Sequence, residues 1–159
     1  MAKKIKTNAL RLLDQAKIDY EIKEYEYDED HLSGEHIVAQ VEIPAKDIFK
    51  TLVLKGNRGF LVCCIPVLEE IDLKKLAKLS NNKSVAMIHM KDLLAVTGYI
   101  RGGCSPIGMK KKFDTYFDSS VNNCDKIALS AGKRGYQMIV NASELINYLD
   151  AKICDVIKE

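Results

Sequence analysis

The residues best placed to hold a reacting carbonyl or an anion lie between Gly98 and Met109, and Lys110, Lys111 and Lys112 follow them at once. Four glycines (Gly98, Gly102, Gly103, Gly108) and Pro106 in this stretch exclude a regular helix or strand. A turn of this kind leaves backbone N–H groups uncovered, which suits an oxyanion, a phosphate or a substrate carbonyl; a tight connection between two strands has the same composition. It is not a phosphate P-loop. Gly103 and Gly108 have the required spacing, but Met109 stands where that motif needs lysine. Cys104 supplies a thiol within the loop, yet none of His31, His36 and His89 is near it in sequence to act as a base.

Lys50 is the second chemical anomaly. Asp47 to Lys55 reads as a strand, and its two-residue period puts Lys50 on the face of Ile48, Leu52 and Leu54. An ammonium there is costly unless it reaches a polar cleft. Either its stem snorkels past a sheet edge, or the cation is held to meet a carboxylate or phosphate, with Thr51 beside it. Paired carboxylates for acid–base work are inconspicuous, because the acids crowd into Glu21 to Asp30 and the helix caps. Five cysteines, Cys63, Cys64, Cys104, Cys124 and Cys154, include no C-x-x-C pair and no histidine at ligand spacing. Reduced thiols and no metal site are the expectation.

Several elements must position these groups. Thr7 caps a helix over 8–17, and Tyr20 to Tyr27 alternates as a half-exposed strand carrying Tyr25. Asp28 to Leu32 is a loop, and Ser33 caps a short helix with Ile37, Val38 and Val41, ended before Pro44. The Lys50 strand turns at Gly56 to Gly59 into Phe60 to Ile65, a hairpin apolar on both faces and therefore central in a covered sheet. Asp72 caps a helix with Leu73, Leu76 and Ala77 inward and Lys74, Lys75 and Lys78 outward. A helix over 91–96 ends at Gly98. Phe113 to Phe117 and Asp125 to Ala131 are strands, the latter turning at Gly132 to Gly135 into Tyr136 to Val140. Asn141 and Glu144 open a final helix, and 152–157 adds an edge strand. Hairpins without strand–helix–strand alternation indicate an α+β fold, one domain over 1–159 with a mixed, mostly antiparallel sheet and surrounding helices.

The chain has 159 residues, 47% hydrophobic and 29% charged, with a net charge of +2. That balance is ordinary for a globular protein, and the net charge alone does not announce nucleic-acid binding. The clustering of Lys110 to Lys112 and of Lys133 with Arg134 says more. No apolar run is long enough to span a bilayer, and the basic start lacks an apolar segment after it, so a cytoplasmic protein with no membrane partner is expected.

Four motifs in order carry a resemblance: Phe49-Lys50-Thr51-Leu52, Asp72 to Ala77, Thr97 to Tyr99 with Gly102 to Gly108, and Ser130 to Gly135. Together they resemble the YbaK family of stand-alone aminoacyl-tRNA deacylases, related to the editing domain of bacterial prolyl-tRNA synthetases, and most closely its Cys-tRNA(Pro) deacylase type. The resemblance implies a YbaK-like fold, hydrolysis of the ester of a mischarged tRNA without a cofactor, and the acceptor end of tRNA(Pro) as partner. It leaves open docking on prolyl-tRNA synthetase, a different amino acid such as alanine, and a non-catalytic tRNA- or synthetase-binding module. By the same resemblance Lys50 is the essential lysine, Gly102 and Gly103 approach the aminoacyl carbonyl, and Tyr25, Thr51 and Ser130 line the pocket. Gln137 stands where related sequences can carry an acid facing the substrate amine. Lys110, Lys111, Lys112, Lys133 and Arg134 become tRNA contacts, and the substrate thiol attacks its own carbonyl while Cys104 stands by.

Overall fold

A computed structural model of the chain describes residues 5–28 and 34–159. Thr7 accepts a hydrogen bond from Leu10 N–H and starts α1 (Asn8–Gln15), which buries Ala9, Leu10 and Leu13. It stops two residues short of the expected end, and Lys17 has turned to φ 58°. The following strand, β1 (Tyr20–Glu24), is also shorter than expected, although Tyr25 N–H still donates to Gly135. The expected loop beginning at Asp28 and the Ser33 cap fall largely outside the described residues; α2 (Gly34–Gln40) follows them.

The lysine hairpin forms as its pattern requires: β2 (Phe49–Gly56) pairs antiparallel with β3 (Gly59–Pro66), Lys50 opposite Ile65 and Thr51 opposite Cys64. Successive β3 residues divide between two cores. Leu61, Cys63 and Ile65 join a cluster with Leu76 and Val156, while Val62 and Cys64 join one with Leu10, Phe117 and Leu129. That alternation is the two-residue period of a strand covered on both sides. Asp72 caps α3 (Leu73–Leu79) by accepting from Lys74 and Lys75 N–H. Leu76 and Ala77 pack inward as expected, but Leu73 is 37% exposed: it shares their stripe, yet the helix makes contact through its middle turn.

After α3 the chain forms a short strand that the residue pattern did not announce, β4 (Val85–Met87), and then α4 (Met90–Thr97), closed by Gly98 at φ 87°. Next come β5 (Asp114–Asp118), β6 (Lys126–Ser130), β7 (Tyr136–Asn141), α5 (Ala142–Leu149) and the edge strand β8 (Lys152–Cys154). Asn141 caps α5 through Glu144 N–H.

The strands make two sheets where a single one was expected. One is antiparallel, in the order β1-β7-β6; the other is mixed, in the order β4-β2-β3-β5-β8. A lone parallel bridge from Ile48 to Ala128 links them. Four of the six strand pairings are antiparallel. The α+β class and the mostly antiparallel pairing are as the sequence indicated. Among the described residues no helix is long and apolar enough to cross a membrane.

Candidate active site

Lys50, Thr51, Gly102, Cys104, Ser130 and Gln137, spread over 88 residues of sequence, line one cavity of about 310 Å³. The floor is β2. Hydrogen-bond parity along this strand determines what it offers. Ile48 C=O accepts from Val67 N–H on the β3 side, whereas Val53 C=O accepts from Ile88 N–H on the opposite side. In an antiparallel ladder these directions alternate, so Lys50 and Leu52 spend their main-chain groups on β3 and Thr51 faces away from it. The non-hydrogen-bonded pairing of Thr51 with Cys64 brings their side chains together, with the thiol 3.7 Å from the Thr51 hydroxyl.

Lys50 is half-buried, and no carboxylate of the described residues pairs with it. Burial lowers the pKa of its ammonium; Glu70 and then Glu69 act in the opposite direction. A cation held this way is weakly satisfied by the protein and gains most from an arriving anion or oxygen-rich ligand.

The roof is the glycine loop. Gly103 N–H donates to Ile100 C=O at 2.9 Å and closes a turn whose third residue, Gly102, has φ 85°. Only glycine adopts that conformation without strain. Gly103 is glycine for another reason: a Cβ there would sit 3.0 Å from Arg134 N and 3.3 Å from Lys133 C, so the loop lies backbone to backbone on the turn between β6 and β7. Two more bonds tie it down, from Arg134 Nε to Arg101 C=O at 2.6 Å and from Tyr25 Oη to Gly102 C=O at 3.4 Å. The two loop glycines therefore divide. Gly102 lines the cavity and its N–H has no partner among the described residues, whereas the Gly103 N–H is already used and Gly103 lies outside the lining.

The inner end of the cavity is polar. Ser130 and Gln137 face each other across the β6–β7 pair, and Gln137 is only 3% exposed. Among the described residues its buried Oε1 has no donor, an unmet demand that costs roughly 1–3 kcal/mol unless a ligand meets it. Ser130 Oγ accepts from Gly132 N–H and so shapes the turn beneath the loop. Tyr25 is buried, and that burial raises the pKa of its hydroxyl, against smaller opposing effects of Gly135 and Gln137.

The thiol is not an activated nucleophile. Burial pushes Cys104 up to about 12, against a smaller opposing contribution from Thr97. Among the described residues no group of histidine, cysteine or carboxylate side chains is arranged to hold a metal.

The basic residues occupy two places. Lys110 to Lys112 are exposed at the far end of the glycine loop, and Lys133 is exposed on the β6–β7 turn, 5.7 Å over the Tyr136 ring. Arg134 is partly buried as the loop's brace. The residue pattern did not reveal Arg101, Met87, His89 and Met90 as lining residues. Val85 and Met87 alternate ahead of the α4 pattern and are the one local signal that could have marked β4.

A cradle of main-chain groups, one underused cation and one orphaned acceptor, with no activated nucleophile among the described residues, has the chemistry to orient an ester. The chain belongs to the aminoacyl-tRNA editing domain family, whose model matches residues 29–148. It is 48% identical, over 95% of its own length and 93% of the relative's, to the Enterococcus faecalis protein named "Putative Cys-tRNA(Pro)/Cys-tRNA(Cys) deacylase EbsC". A proline–tRNA ligase of Fervidobacterium nodosum is 32% identical over 43% of this chain and 12% of the ligase. In fold, the chain matches the crystal structure of "a putative trans-editing enzyme for prolyl tRNA synthetase" at a TM-score of 0.82 and 17% identity, covering 98% of this chain and 100% of that one. It also matches the hypothetical protein APE2540 at a TM-score of 0.86 and 16% identity, over 96% and 100% of the two chains.

Proposed function

We propose that this chain, as one domain, deacylates mischarged tRNA in trans, with cysteine as the amino acid and tRNA(Pro) as its carrier. The observation that carries the reading is the orphaned Gln137 Oε1 at the closed end of a cavity that also holds Lys50 and the Gly102 turn. Gln137 accepts from the substrate's α-ammonium as a neutral group, where an acid would add a charge. Lys50 holds the terminal ribose or its phosphate. Gly102 N–H meets the ester carbonyl, and Gly103 permits the loop to lie close enough for it to do so. Thr51 and Ser130 complete the wall, and Tyr25, outside the lining, braces the Gly102 carbonyl. The 48% identity to a named Cys-tRNA deacylase supports the choice of amino acid.

The chemistry needs no protein nucleophile. The cysteinyl thiol attacks its own carbonyl carbon: the S–C bond forms, the C–O bond to the ribose breaks, and the thiol proton ends on the ribose oxygen as tRNA leaves. Water then opens the thiolactone to free cysteine. Orientation contributes several kcal/mol to such a step and one oxyanion donor roughly 3 to 4. The match over nearly the whole length of a named deacylase supports action in trans, beside prolyl-tRNA synthetase in the cytoplasm. Lys110 to Lys112, Lys133 and Arg134 contact tRNA phosphates.

The test is a deacylation panel of Cys-, Ala- and Ser-tRNA(Pro). Rapid release of cysteine alone is the expected result. Alanine released at the same rate would defeat thiol self-attack, and tight tRNA binding with no ester turnover would leave a binding module.

A further inference from the structure

The edge of β2 that faces away from β3 is paired at both ends and open in the middle. β6 meets it at Ile48 through the bridge to Ala128. β4 meets it from Val53 onward, with Ile88 N–H on Val53 C=O and the ladder continuing from Leu54 to Gly56. Between these contacts Phe49 and Thr51 direct their main-chain groups outward, by the parity that Ile48 and Val53 establish; Phe49 adjoins the bridge at Ile48, and Thr51 stands in the middle. Among the described residues no strand register reaches Thr51 on that side. Thr51 lines the cavity, flanked by Ser130 on the β6 side and Ile88 on the β4 side. The cavity thus opens at a gap, centred on Thr51, between the two contacts on this strand edge.

Resting on the deacylase reading, we infer that the Thr51 main chain binds the main-chain atoms of the aminoacyl group. Its N–H donates to the ester carbonyl and its C=O accepts from the α-ammonium, so the substrate adds to β2 as a strand of one residue. An antiparallel partner residue presents one acceptor and one donor in that arrangement, and an α-aminoacyl ester has both. The ammonium has three protons, so it bonds Thr51 C=O and Gln137 Oε1 together. Thr51 N–H then stands with Gly102 N–H as a second oxyanion donor. Recognition of this kind reads the α-amino-ester unit and leaves the side chain to the rest of the pocket.

Side-chain mutation cannot remove a main-chain group, so the test uses an ester linkage in place of the amide. Thr51→Val first removes the hydroxyl. The same position is then given α-hydroxyisovaleric acid, which keeps the valine side chain and deletes the N–H. Because Thr51 N–H lies outside the β2–β3 ladder, the linkage removes no ladder bond at that position. Melting temperature and circular dichroism report the fold, and a second ester at Leu52, which does delete a ladder bond, calibrates them. With Cys-tRNA as substrate, and the rate of Thr51→Val taken as the reference, the ester linkage at 51 lowers kcat by a further factor of about 100 to 1000. With the 3-mercaptopropionyl ester, which has the thiol but no amine, the unmodified protein shows a raised KM. An ester-linked protein that stays folded and deacylates as fast as the valine variant overturns the assignment. Failure of the unmodified protein to release cysteine from any tRNA overturns the deacylase reading itself.

Discussion

Replacing Lys50 by methionine separates what the cation does for the fold from what it does in the site. Methionine keeps a stem of similar length and drops the charge, on a strand face otherwise occupied by Ile48, Leu52 and Leu54. Burial works against the ammonium and no described carboxylate pairs with it, so Lys50→Met stabilises the protein. Solvent on the exposed side of Lys50 screens part of the penalty, which sets the gain near the low end for such changes, about 0.5–1 kcal/mol or roughly 1–4 °C in Tm. Deacylation falls by about 100- to 1000-fold if the ammonium meets charge in the transition state. The sign with pH follows from where the proton binds. The folded protein holds the Lys50 proton less tightly than the unfolded chain does at its ordinary 10.5. Between the lowered folded value and 10.5 the unfolded chain binds more protons, so wild-type stability rises with pH through that window. The variant lacks this rise. Its advantage is full at neutral pH and gone above 10.5. Thermal melts of both proteins from pH 7 to 10.5, paired with single-turnover deacylation, make the measurement. A variant that melts lower at neutral pH refutes the unpaired-cation account, and one that deacylates at the wild-type rate removes Lys50 from the site.

Three further outcomes are expected. Gly102→Ala strains a residue at φ 85° by about 1–2 kcal/mol, lowering Tm by roughly 2–8 °C and deacylation by a larger factor than the melt accounts for; an unchanged rate would show that the turn is only a connection. Cys104→Ser remains active, and the native thiol alkylates slowly at pH 8 and faster as the pH approaches about 12; an inactive serine variant would return the thiol to the chemistry. Changing Lys110, Lys111 and Lys112 to alanine lowers the slope of log Kd for tRNA against log salt by about 0.7–0.9 for each phosphate left without its lysine, and an unchanged slope removes them from the tRNA path.

Hairpins, caps and the special loop were legible because each is local. Asp72, Asn141 and Gly98 signal their helix ends within a few residues, and β3 announces its double burial through an unbroken apolar run. Lys50 was legible as a conflict between residue type and strand face. The gap at Thr51 was not, because it depends on β6 and β4 meeting the same edge from far along the chain, and no short window contains that information. β4 also went unread, since its one signal, the alternation of Val85 and Met87, is too short to establish a period. The loop glycines were legible as a pair but not in their separate duties: a positive φ at Gly102 and a close backbone approach at Gly103 look alike in sequence.

The brace that holds the glycine loop has a consequence for how such a site changes over evolutionary time. The contacts that fix the roof run to the Arg101 and Gly102 carbonyls, the Gly103 N–H and the backbone of the turn at Lys133 and Arg134, and the floor offers Thr51 through its main chain. Codon changes do not alter these main-chain atoms, and only the Arg134 and Tyr25 side chains among the braces depend on residue type. Side chains around the cavity other than these braces and the two loop glycines can therefore vary while the main-chain groups keep their places. Gln137, a neutral acceptor where an acid could stand, is the kind of variation this division of labour allows.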